Sequence, residues 1–197
     1  MTIMDDKAKC RVRLLSKEEA HHAAQEAGIS PMMADLNVFR ALLHHPKLAG
    51  ALNAQLSMLM GLGNVLDPRL RELIIMRIGW ETGSNYEWTQ HWRGAKMLGI
   101  PENDLLSVRD WKSASCFDAA DQAVLQATDD ILQDGKIAIQ TWTKLENALN
   151  DVQQVLEVVI AICNWRTFSQ LLMSLEVPLE DDVESWPPDS IIPAAAS

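Results

Sequence analysis

The chain has 197 residues, of which 48% are apolar and 22% charged, a balance that excludes a disordered polymer and belongs to a folded domain with a sizeable core. Lys and Arg number 17 against 27 Asp and Glu, for a net charge of -10. Nucleic acid and anionic membranes both select for basic surfaces, so neither is expected as a partner. The apolar periodicity is helical from the start. Ser16 followed by Glu19 reads as a capping box, opening a helix that Gly28 stops. Pro31 opens a second segment, with Leu36, Phe39, Leu42 and Leu43 at helical spacing as far as Pro46. A third runs from Lys47 to Met60, before the breaker at residues 61–64. Asp67-Pro68 starts the next helix, Asp as N-cap and Pro in the first turn, with Leu70, Leu73, Ile74 and Ile78 on one face. Ser84 begins another that ends at Gly99, Pro101 a short one, and residues 118–133 and 141–149 two more. Asp151 opens a long, mostly apolar helix reaching about Leu175. Period-two alternation is hard to find, so the fold class is all-α.

No apolar run approaches a bilayer span, because Glu157 interrupts the longest. The N-terminal stretch lacks the apolar centre of a secretory signal, and Cys10, Cys116 and Cys163 form neither an even framework nor a Cys-x-x-Cys. A reducing, cytoplasmic setting is expected. The chain divides into an N-terminal helical extension (1–33), a main domain (34–179) and an acidic, Pro-containing tail (180–197). Composition favours a solvated, disordered tail. The alternative is a strap over a neighbouring subunit, anchored by Trp186 and the Ile191-Ile192 pair.

Residues 67–100 hold the only Tyr and three of the seven Trp. Glu87 and His91 stand four apart, so on a helix their side chains share a face. A carboxylate beside an imidazole fixes its tautomer and suits it to acid–base work near neutral pH. Glu72, on the preceding helix, can join them if the chain turns back at Gly83. Structural roles compete: Ser84 and Glu87 have the spacing of a capping box, and Glu72 could pair with Arg69. Glu87 and His91 alone are too few for a metal site, the His21-His22 and His44-His45 pairs offer no third ligand, and no cofactor motif is present. Cys163, on an apolar helix, is expected to be a small core residue.

The segment resembles the signature of the carboxymuconolactone decarboxylase family, whose all-α fold is shared with the alkylhydroperoxidase D-like proteins. The redox branch has a Glu, then Cys-x-x-Cys twelve residues on, then a His four residues after the second Cys; the matching positions are Glu72, Ser84, Glu87 and His91. Decarboxylase-type members carry a run like Asn-x-Tyr-Glu-Trp-x-x-His, here Asn85, Tyr86, Glu87, Trp88 and His91. The likeness extends from Leu36 to Leu179, with Trp165 where many relatives have Tyr.

The resemblance implies an oligomeric helical bundle, a trimer or hexamer, and a cofactor-free lyase or isomerase acting on a small carboxylated lactone or aromatic ring-cleavage product. In that reading His91 moves the proton, Glu87 orients it or serves as partner acid, and Glu72 sets the charge of the pocket. Tyr86, Trp88 and Trp92 line the cavity, and Arg71, Arg93 or Arg166 anchors a substrate carboxylate, Arg71 being preferred. The rival is a non-catalytic binding or scaffold oligomer. A thiol-dependent peroxidase ranks last, since neither Ser84 nor Glu87 can form a thiolate.

Overall fold

The computed structural model describes residues 10–61, 63–181 and 183–196. Ten α-helices are present among them: α1 (Lys17–Ala27), α2 (Pro31–Ala34), α3 (Asn37–Leu42), α4 (Pro46–Met60), α5 (Pro68–Thr82), α6 (Asn85–Met97), α7 (Glu102–Ser107), α8 (Ala119–Asp134), α9 (Ile139–Leu149) and α10 (Val152–Leu175). A 3-10 helix, Val108–Ser113, follows α7. No described residue lies in a strand. The chain forms two compact units, one from residues 10–63 with 171–183, the other from 64–170 with 184–196.

In the first unit the capping box at Ser16 and Glu19 forms as expected, and Gly28 ends α1 at φ 68°. The segment expected to run from Pro31 to Pro46 breaks into α2 and α3. At the break, the Asn37 side chain donates to the carbonyls of Pro178 and Leu179, and its N–H donates to Glu180. α1 and α4 approach closely at Gly50, where a Cβ would stand 2.7 Å from the Ala27 carbonyl oxygen.

α5 is the centre of the second unit. Asp67 caps it, accepting from the Arg69 N–H, and Gly83 ends it at φ 74°. The single apolar face expected for this helix is a correction to make, because every residue from 70 to 79 is buried, Arg71, Glu72 and Arg77 included. A helix buried all round must find partners for its charges inside. Arg77 does so through paired contacts with Asp129 (2.7 and 3.2 Å) and the carbonyls of Val108 and Arg109.

α6 packs back along α5 through Gly79. A Cβ at that position would lie 2.9 Å from the Trp88 nitrogen and 3.2 Å from its Cα, so the two helices meet backbone to backbone. α10 is long and apolar enough to cross a membrane by length and composition, which corrects the expectation that no such stretch exists. Nearly half of its most apolar window is buried in the protein, and Glu157 on it accepts from the backbone N–H groups of Val65 and Leu66. This is the pattern of a core helix.

The segment beyond residue 183 is ordered against its own unit. The Trp186 N–H bonds to Asn85 and Thr89, the Trp88 indole donates to the Pro187 carbonyl at 2.8 Å, and Asp189 holds Arg109 bidentately at 2.7 and 3.0 Å. The Arg109 guanidinium in turn lies over Trp80 and Trp88, 4.5 and 4.8 Å from their ring centroids. Trp186 is the anchor, buried among Trp80, Trp88 and the rest of the core. Ile191 and Ile192, by contrast, stay more than half exposed on the single chain.

Candidate functional site

Glu72 on α5, Glu87 and His91 on α6, and Trp165 on α10 meet inside the second unit. The turn at Gly83 reverses the chain, and α6 then carries Glu87 and His91, one turn apart, to the level of Glu72. His91 Nδ1 lies 2.8 Å from Glu72 Oε2. The Trp165 indole N–H donates to His91 Nε2 at 3.1 Å. Glu87 Oε2 is 3.4 Å from the same Nε2. Arg71 reaches Glu72 Oε1 at 3.2 Å. Glu72 and Arg71 are nearly sealed from solvent, and the His91 side chain keeps 15% of its exposure.

The electrostatics follow from this burial. Burial pushes the Glu72 carboxyl up, but the His91 charge and hydrogen bond, with Arg71, more than offset it and hold Glu72 below the ordinary value. Glu87 has no such set of partners. Burial drives its carboxyl up to about 7, with His91 pulling down and Glu72 pushing up further. Burial works against a charge on His91 as well, yet Glu72 and Glu87 together raise its pKa, against the opposing charge of Arg71. The site therefore binds protons more readily near neutral pH than the same groups would in water, through Glu87 and His91.

The capping box expected at Ser84 and Glu87 does not form. Ser84 makes no side-chain cap hydrogen bond, and its buried Oγ has no hydrogen-bond partner. Glu87 turns inward to His91 instead of reaching back to the helix start. Nor does Glu72 pair with Arg69, which is held by Asp104 and Asp121.

Residues 46–130 match the carboxymuconolactone decarboxylase family. They belong to it. No curated protein matches the chain in sequence. Among solved structures, an uncharacterized peroxidase-related protein from Silicibacter sp. TM1040 aligns with a TM-score of 0.73 at 14% identity, covering 92% of this chain and 97% of that one. One described as alkylhydroperoxidase AhpD core, from Ralstonia eutropha JMP134, gives 0.71 at 13%, covering 93% and 98%. The debrominase Bmp8 gives 0.64 at 13%, covering 84% and 86%. The likeness establishes an AhpD-like, all-α fold.

Against the carboxymuconolactone decarboxylase signature, the other positions singled out fall in different places. Tyr86 is buried at 7%. Trp88 as a substrate contact needs correcting, because it is fully buried in the tryptophan cluster with its N–H spent on Pro187. Trp92 belongs to the same core. Of the three candidate cations, Arg71 is beside Glu72, Arg166 donates to the Ile131 carbonyl, and Arg93 is exposed. Cys163 is exposed, not a core residue. Glu72 and Glu87 approach opposite nitrogens of His91 and so do not converge on a point where a metal could sit. Among the described residues no group of three His, Cys, Asp or Glu is arranged to hold one. Sequence reasoning missed the placement of Trp165. It comes from 74 positions beyond His91, and no local spacing marks it.

The raised carboxyl has a consequence for stability. An acid whose folded pKa exceeds its unfolded value binds more protons when folded, so stability falls as pH rises from the unfolded value through the folded one. Glu87, moved from 4.5 to about 7, should withhold at most about 3 kcal/mol at alkaline pH. His91, also raised, acts in the same direction. Glu72 is lowered, so its contribution is lost only as pH falls below the ordinary carboxylate range. Glu87→Gln should therefore gain thermal stability over the wild type progressively between pH 5 and 8, measured by paired melting curves. A difference that stays constant or reverses over that range would contradict the assignment.

Proposed function

We propose that the protein is a cofactor-free lyase or isomerase that acts by proton transfer on a small carboxylated lactone or ring-cleavage product. One observation carries the reading, the row of Glu72, His91 and Glu87, hydrogen-bonded at the first contact and 3.4 Å apart at the second, with a carboxyl raised to about 7 at its end. Loss of carbon dioxide leaves a carbanion that must be delocalised and then protonated, so an acid poised near neutral pH is the group required. Arg71 is the cation best situated to hold a substrate carboxylate. Ser84 and Glu87 supply no thiolate where the redox branch carries its cysteines, which counts against peroxide chemistry. We also propose that the chain assembles as a homo-oligomer, trimer or hexamer. An exposed apolar stripe on α10, Val152, Leu156 and Ile160, supports this, and light scattering reads it directly.

The rival scaffold reading draws on the edge-on packing of Trp165 against His91, with ring planes at 87°. A panel of carboxylated lactones, assayed for carbon dioxide release, separates the two. Release that disappears in His91→Gln supports the lyase, and silence across the panel in wild type supports the scaffold. Peroxide with a thiol reductant is the companion assay. No turnover is expected, and turnover that survives Cys163→Ala would overturn the proton-transfer reading.

A further inference from the structure

We propose that Trp165 is a positioning residue that fixes where the site's proton sits: its indole N–H caps His91 Nε2, so that His91 stands as the Nδ1–H tautomer and Glu87 carries the proton a substrate receives. The role given to Glu87 rests on the reaction proposed above; the tautomer rests on geometry alone.

An indole nitrogen can only donate. At 3.1 Å from His91 Nε2 it needs a lone pair there, and a neutral imidazole has one such nitrogen. The other nitrogen, Nδ1, must then hold the hydrogen, and it lies 2.8 Å from Glu72 Oε2, whose other oxygen accepts from Arg71 at 3.2 Å. Both ring nitrogens are thereby committed. Glu72 and Arg71 face the ring from α5, Glu87 from its own helix, and α10 presents the uncharged Trp165.

A proton taken up by this cluster has two places to go. On Nε2 it would make an imidazolium paired with an ionised Glu87, but it would also set an N–H against the indole N–H. Relieving that clash requires Trp165 to move, and its side chain is buried at 2% and packed edge-on to the imidazole, 5.8 Å between centroids. On Glu87 the proton leaves the indole bond intact and removes a buried negative charge, 3.4 Å from Nε2. Among the described residues that nitrogen is the one group within ion-pair distance of the Glu87 carboxyl. The indole bond therefore selects Glu87 as the acid. His91, assigned from sequence to move the proton, becomes the group that orients it.

The test needs no substrate. Nitrogen-15 spectra of labelled histidine and carbon-13 spectra of the Glu87 carboxyl, recorded between pH 6 and 8, read both protons directly. In the wild type at pH 7, His91 should show one protonated and one bare ring nitrogen. Trp165→Phe keeps an aromatic ring and removes the donor. It should convert His91 to the doubly protonated form and lower the Glu87 titration by about one pH unit. A doubly protonated wild-type His91 at pH 7, or unchanged spectra in Trp165→Phe, would overturn the proposal. Should the variant fail to fold, the wild-type spectra decide by themselves. A Nδ1–H tautomer in a protein that releases no carbon dioxide would sink the reaction and leave this arrangement standing. An imidazolium in an active enzyme would do the reverse.

Discussion

His91→Gln should lower the rate of carbon dioxide release by about a hundredfold to ten-thousandfold, the usual worth of a general acid–base group. The loss is expected whether His91 carries the proton or holds Glu87 ready to give it, because a glutamine amide neither titrates nor spans both partners. The structure adds a cost that the sequence conceals. His91 is the hydrogen-bond partner of the buried Glu72 carboxylate on one side and of the Trp165 indole on the other. A glutamine can satisfy one of them, leaving the other buried without a partner at about 1–3 kcal/mol. Activity per folded molecule, set beside the melting temperature, separates the two effects. A variant that melts early but keeps full specific activity would show that His91 is only part of the core and that the proton moves without it.

Trp186→Ala should be as damaging to stability as His91→Gln is to rate. The indole is buried at 5%, with ring centroids 6.3 and 6.2 Å from Trp80 and Trp88. Truncating a buried Trp to Ala costs about 3–5 kcal/mol, part transfer and part cavity. In a domain of this size that lowers the melting temperature by on the order of 10 °C. The loss should exceed that of Ile191→Ala, a residue more than half exposed, in the same segment. Equal, small effects for both would mean that the segment merely rests on the core.

These two cases mark how far the sequence could be read. Helix starts and stops were legible where backbone chemistry decides them, at Ser16, Gly28, Asp67-Pro68 and Gly83. The meeting of Glu72, Glu87 and His91 was also legible, from a four-residue spacing and one expected turn. The same local grammar misled at Ser84. Ser-x-x-Glu closes a capping box at Ser16, where Glu19 is exposed and also pairs with Arg13. At Ser84 the corresponding Glu87 is drawn into the interior by His91, and tertiary packing overrides the local motif. The role of Trp165 and the partners of Trp186, itself expected as an anchor, were beyond reach for a shared reason: each acts on residues 74 or more positions away. The acidic, proline-rich composition around Trp186 suggested solvent, yet one buried indole and a bidentate arginine contact hold it in place.

Gly79 gives the site its dimensions. The missing side chain lets α6 lie against α5 with the Trp88 backbone where a methyl group would be, and His91 stands one turn further along the same rigid helix. The 2.8 Å contact with Glu72 is thus measured off from a position that touches none of the reacting groups. Any larger residue would act as a shim, shifting α6 by several tenths of an ångström and opening the Glu72–His91 contact, the one carboxylate contact that crosses between the helices. Freedom to vary at position 79 is therefore tied to the Glu72 carboxylate, about two turns away along α5. A descendant of this chain could not fill this gap and keep the same spacing.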